Sequence, residues 1–158
     1  EPEEDRYFPL IKAIILGAPV EVIGALCCPE ALTETTITVL HEAIRNKASF
    51  DVIELLIEKQ PNAVKEKDSH GHTPLYTACI HGAPLKIISL LLDGWPKATK
   101  VKTRIGSTPL HNACKGAPVE VVSLLLDRSP EVMREKNRFG CTPLHIACSY
   151  GAPVEVVS

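Results

Sequence analysis

Apolar residues along this chain fall into two kinds of run that alternate. A longer kind has Val, Leu and Ile recurring along one face and includes Leu90-Leu91-Leu92 and Leu124-Leu125-Leu126. These segments are too apolar for a fully exposed helix, so they are predicted to face neighbouring helices. A shorter kind precedes each of them, with Leu75, Ala78 and Cys79 as the first clear example. Between one longer run and the next shorter one lies a polar stretch such as Lys65-Glu66-Lys67-Asp68-Ser69-His70-Gly71. The pattern predicts pairs of helices joined by polar returns.

The runs are copies of one another. Gly71-His72-Thr73-Pro74-Leu75-Tyr76-Thr77-Ala78-Cys79 recurs from Gly106 to Cys114 and from Gly140 to Cys148. A second block, Gly-Ala-Pro followed by Leu85, Val119 or Val154, comes after each. The period is 35 residues from Gly71 to Gly106 and 34 from Gly106 to Gly140. The missing residue lies in Cys114-Lys115-Gly116. Weaker copies start at Pro9-Leu10 and at Val39-Leu40, with a shortfall between Leu26 and Thr38. The repeats run approximately over 6–35, 36–70, 71–105, 106–139 and a truncated 140–158, within a single domain.

Local backbone chemistry explains the pattern. Thr73, Thr108 and Thr142 are helix N-caps, and the proline after each needs no N–H in the first turn. Gly82, Gly116 and Gly151 end these short helices in a left-handed conformation. Pro84, Pro118 and Pro153 open the second helix; Pro61, Pro96 and Pro130 stop it. The 13 prolines therefore mark helix boundaries: Pro9, Pro19, Pro109 and Pro143 start helices, Pro29 follows one, and Pro2 alone lies outside the scheme. Asp68 with Gly71, and Asn137 with Gly140, fit type I turns; Thr103 with Gly106 is a weaker version. Repeat 2 departs most, with Thr36 for Gly, Lys47 for the helix-ending Gly and Ser49 for Pro. An irregular start is expected there.

Thr-Pro-Leu-His-x-Ala at this period resembles the ankyrin repeat, and residues 6–158 are covered. The tetratricopeptide repeat has a similar period, but its Trp-x-x-Leu-Gly-x-x-Tyr pattern is absent. Gly-Ala-Pro replaces the usual Gly-His, and this longer variant is similar to ankyrin repeats of diatom and related algal proteins. The resemblance implies an all-α solenoid of about four and a half stacked helix-turn-helix units with finger-like turns. Stacked repeats share one core, so Val154, Val156 and Val157 imply a chain that continues past Ser158. The acidic Glu1–Asp5 segment suits an N-terminal boundary. Met133 is the only methionine, so Glu1 is not an unprocessed start.

Composition narrows the function. Charge is nearly balanced, 17 Lys+Arg against 19 Asp+Glu, which argues against a nucleic-acid-binding domain. A hydrophobic content of 45% excludes disorder, and no apolar run approaches a membrane span. No signal peptide is visible. Cys79, Cys114 and Cys148 share one repeat position and read as small core hydrophobes. Equivalent points lie about 8–10 Å apart, too far for a disulfide or a shared zinc. Cys27-Cys28 has no counterpart, and Cys141 is the best candidate for an exposed thiol. This usage suits an intracellular, reducing compartment, cytoplasm or nucleus. The spacings of His111 with Cys114 and of His145 with Cys148 mimic half a metal site. The resemblance implies another role for His41, His111 and His145: bonding the helix-start Thr and the neighbouring turn. Tyr76 replaces this histidine and is expected to weaken its network. No nucleophile motif, phosphate loop or metalloprotease pair occurs, so neither an enzyme nor a cofactor or metal site is expected.

In ankyrin repeats, partners meet the turn tips and the exposed side of the first helix. The matching residues are Ser69, His70 and His72; Lys102, Arg104, Ile105 and Ser107; Arg138, Phe139 and Cys141; and Ile80, His81, Lys115, Ser149 and Tyr150. They vary where the framework repeats. The resemblance thus implies a protein-binding module using its concave face. The alternatives are an architectural tether contacting through helix backs, or the recognition part of a multidomain protein. Lys97, Lys100, Lys102 and Arg104 form a basic cluster that reads either as a solvated face or as a site for an acidic partner. Ile105 and Phe139 fit either packing on adjacent turns or a small apolar contact strip. Trp95 is expected to pack against the loop beside it.

Overall fold

Proline, threonine and glycine punctuate the chain where the repeat pattern requires. The computed structural model describes residues 9–28 and 39–151. Among these, nine α-helices alternate short and long: α1 Pro9–Ile15, α2 Val20–Leu26, α3 Val39–Arg45, α4 Phe50–Lys59, α5 Pro74–Ile80, α6 Leu85–Gly94, α7 Pro109–Ala113, α8 Val119–Arg128 and α9 Pro143–Ser149. Thr36, Pro2, Pro29, Pro153, the C-terminal valines, the acidic N-terminal segment and the shortfall after Leu26 lie outside the described residues.

The helices form two layers. First helices α1, α3, α5, α7 and α9 pack on one another in order, and second helices α2, α4, α6 and α8 do the same. One position recurs down each layer. Leu10, Leu40, Leu75 and Leu110 are each at most 2% exposed, as are Ile53 and Ile88 in the second layer. Burying each such side chain stabilises by about 1.5–3 kcal/mol. Ala43, Ala78 and Ala113 are completely buried. Trp95 is half-buried and packs against the core.

Pro74, Pro109 and Pro143 are first-turn residues, whereas Pro19, Pro84 and Pro118 occupy the N-cap position of the second helices. Pro61, Pro96 and Pro130 stop the second helix and also begin 3-10 turns, Pro61–Lys65, Pro96–Lys100 and Pro130–Arg134. Each turn buries its third residue, Ala63, Ala98 or Val132.

The start of repeat 2, where irregularity is expected, lies outside the described residues; from Val39 onward the repeat is regular. Lys47 adopts the glycine conformation at φ 54°, against 67° at Gly17 and 63° at Gly82. Ser49 replaces the proline by accepting a hydrogen bond from the Val52 N–H at 3.4 Å. The deletion after Cys114 is absorbed in the loop. Where Ala18, Ala48 and Ala83 donate to the carbonyls of Ala13, Ala43 and Ala78, Ala117 reaches back only four residues, to Ala113. The helix shortens to five residues, and Gly116 opens to φ 149°.

Candidate turn-tip interface

Each return loop is a turn closed by one side chain. The Asp68 carboxylate accepts the N–H groups of His70 and His72 at 2.9 and 2.8 Å. Asn137 Oδ1 accepts those of Phe139 and Cys141 at 2.9 and 3.1 Å. Thr103 Oγ1 accepts only Ser107 N–H, at 3.3 Å, which is the weaker version expected. In all three, the N–H of Gly71, Gly106 or Gly140 donates to the carbonyl of the turn's first residue. A side chain at Gly106 would meet two obstacles: its φ is 76°, and a Cβ there would stand 3.2 Å from Arg138 N. That close approach lets Arg138 N–H donate to the Ile105 carbonyl at 3.0 Å, tying two tips together.

The histidines lock each turn to the helix before it. The Thr108 N–H donates to His111 Nδ1 at 3.1 Å, so the ring proton belongs on Nε2. That nitrogen donates to the Cys141 carbonyl at 3.0 Å. His41 Nε2 likewise donates to the His72 carbonyl at 2.8 Å. Burial lowers the pKa of both rings, against the opposing effect of these carbonyls. His145 keeps the bond to Thr142, at 2.7 Å. Tyr76 has a weaker network, as expected. The reciprocal cap is lost, because only Thr73 Oγ1 accepts, from Tyr76 N–H. Burial pushes the Tyr76 phenol pKa up, against the opposing effect of the Ser107 and Thr103 side chains of the next turn.

An ionic network missed from sequence ties repeat 2 to the first tip. Arg45 bridges Glu42 at 2.7 Å and Asp68 at 2.6 Å, and His72 Nδ1 lies 3.3 Å from Asp68. Burial pushes the Asp68 carboxyl up, but the N–H groups of His72 and His70 outweigh it and hold the pKa low. The available signal was Asp68 itself, the acidic residue that opens its turn where Thr103 and Asn137 open theirs.

The predicted surface residues divide. His70, His72, Arg104, Ile105 and Arg138, with Thr103, line one open groove of about 490 Å³ between tips. Ser69 and Phe139 are exposed beside it; Phe139 is 66% exposed and packs under the Arg138 guanidinium at 4.8 Å rather than on the adjacent turn. Ile80, His81, Lys115, Ser149 and Tyr150 are exposed at the other end of the first helices. His81 lines a separate groove of about 400 Å³ with Phe50 and Lys86, where the Lys86 ammonium sits 3.7 Å over the Phe50 ring. Lys115 lies 5.8 Å over Tyr150.

Three candidates move inward or become engaged. Ser107 is buried at 5%, and its N–H donates to Thr103 Oγ1 within its own turn. Cys141 is half-buried, with its carbonyl and N–H both used by the framework. Lys102 pairs with Glu135 at 2.7 Å, and its neighbour Lys100 with Glu131 at 2.5 Å. The basic cluster is thus partly neutralised by the next repeat. Of the cysteines, Cys79 and Cys114 are buried thiols whose pKa values burial pushes up to about 12 and about 11. Cys148 is exposed, contrary to expectation, since no described helix packs beyond α9. Cys28 is also exposed.

Among the described residues, no cluster of His, Cys, Asp and Glu is arranged to hold a metal, and no helix is long and apolar enough to cross a membrane. A family model described as ankyrin repeats (3 copies) matches residues 9–99 and again residues 85–158. No curated protein matches the chain.

Proposed function

Because the chain belongs to the ankyrin-repeat family, whose members generally act as protein–protein interaction modules, we propose that it binds a partner protein through its turn tips and the adjoining ends of its first helices. The observation that carries this is the split between fixed and varied positions. Framework residues such as Leu75, Thr108 and His111 are buried. The tip residues Ser69, Arg104 and Arg138 are exposed, and beside them His70, Ile105 and Phe139, at one position of successive turns, differ from repeat to repeat. Side chains that packing does not constrain are the ones a solenoid uses for recognition. The role is non-enzymatic binding.

Affinity capture with the full-length protein, read by mass spectrometry, supplies the partner. Arg104→Glu combined with Phe139→Ala is then expected to weaken binding while leaving the melting temperature nearly unchanged, because both side chains are exposed. Unchanged binding would point instead to the helix backs and an architectural role.

A further inference from the structure

The structure relocates the free positive charge on this surface. Lys100 and Lys102 are matched by Glu131 and Glu135 of the next repeat. Among the described residues, neither Arg104 nor Arg138 meets a carboxylate. The two arginines hold the same place in adjacent turns, directly after Thr103 and Asn137. Those turn residues are neutral where the first turn has Asp68. Asp68 is itself only 4% exposed and committed to Arg45. The Arg138 N–H bond to Ile105 holds the tips side by side. The groove between them is lined by His70, His72, Thr103, Arg104, Ile105 and Arg138, without a single acid. A guanidinium held over a ring, as Arg138 is 4.8 Å over Phe139, can still donate to a carboxylate.

We propose that this groove binds an acidic segment of a partner protein, with Arg104 and Arg138 each taking a carboxylate and Ile105 meeting aliphatic surface between them. This rests on the tip-surface reading above and names the chemistry of its partner. Two arginines make too small a footprint for nucleic acid, whose affinity depends on many phosphate contacts.

The test is fluorescence anisotropy with labelled octaglutamate, octaglutamine and a single-stranded oligonucleotide. Octaglutamate is expected to bind, progressively less as salt rises, and octaglutamine is not. Arg104→Gln with Arg138→Gln should weaken octaglutamate about tenfold or more. Lys100→Gln with Lys102→Gln should change it less than about threefold, since those lysines are already paired. Equal affinity for octaglutamine, tighter binding of the oligonucleotide, no octaglutamate binding, or indifference to the arginine substitutions would each overturn the proposal. A captured partner lost on Phe139→Ala but kept in the double-arginine variant overturns it while leaving the tip surface standing. A partner insensitive to every tip substitution overturns both.

Discussion

Lys47→Gly should make the protein more stable, although it removes a side chain and adds a flexible residue. Lys47 is the one non-glycine with positive φ among the described residues, at 54°. Its backbone does the same work as glycine elsewhere: its N–H donates to the Ile44 carbonyl at 3.1 Å, and the next N–H, of Ala48, donates to Ala43 at 2.9 Å. Gly17 and Ala18 make the same two bonds. The left-handed conformation costs an L-residue about 1–2 kcal/mol. Glycine gives back about 0.5–1 kcal/mol through the extra freedom of the unfolded chain. The net gain is about 0.5–1 kcal/mol, or roughly 1–4 °C in melting temperature for a chain of this size. The Lys47 ammonium joins none of the ion pairs, so its loss subtracts little. Gly82→Ala is the converse. A Cβ at Gly82 has nothing within 4 Å, so its destabilisation, about 1 kcal/mol, reports backbone strain alone. Both are measured by urea titration followed by circular dichroism, with the midpoint moving and the slope constant. A Lys47→Gly protein no more stable than the parent refutes the strain argument.

Three further outcomes follow from buried polar groups. Thr77 Oγ1 is buried without a hydrogen-bond partner, so Thr77→Val, which keeps the shape, should raise stability by about 1 kcal/mol in the same titration. Thr99 and Ser129 share a buried hydroxyl pair at 2.7 Å; Thr99→Val should cost about 1–3 kcal/mol, and adding Ser129→Ala should cost less than the sum, as a double-mutant cycle measures. Burial lowers the pKa values of His41, His72 and His111, so their neutral forms belong to the folded state. Their contribution is full above about pH 6.5, where unfolded histidine is also neutral, and is lost as pH falls below that value. The depressed Asp68 carboxyl adds a second loss in stronger acid. The urea midpoint should drop between about pH 7.5 and about pH 5; a flat profile would mean the rings titrate normally.

Helix starts and stops were legible because threonine, proline and glycine act within a few residues of themselves. The turns were legible for the same reason, down to the weaker bonding at Thr103. What escaped was nonlocal. Pro96 reads as a stop, yet the 3-10 turn it begins depends on burying Ala98 against α7 and α8. Lys100 and Lys102 read as a free cluster because Glu131 and Glu135 stand beside them only after stacking sets the register. Ser107 looked like a surface residue by analogy with its turn neighbours. Its burial is set by the stacking of neighbouring repeats, which the sequence does not display. Among the predicted contact residues, the arginines and Ile105 converge on one groove. His81 and Tyr150 stand at the other ends of the first helices, a separation that a linear motif does not reveal.

The tips also bear on how such a surface changes over generations. Their shape is set by Asp68, Thr103 or Asn137 and by the three turn glycines, while adjacent tips join through main-chain atoms of Ile105 and Arg138. None of this uses the side chains of Ser69, Arg104 or Arg138. Those three positions are therefore interchangeable parts: exchanging the dipeptide Ser69-His70 with Arg138-Phe139 alters what is recognised and leaves the scaffold intact. A new specificity can arise here by a few substitutions that drift without passing through an unfolded ancestor.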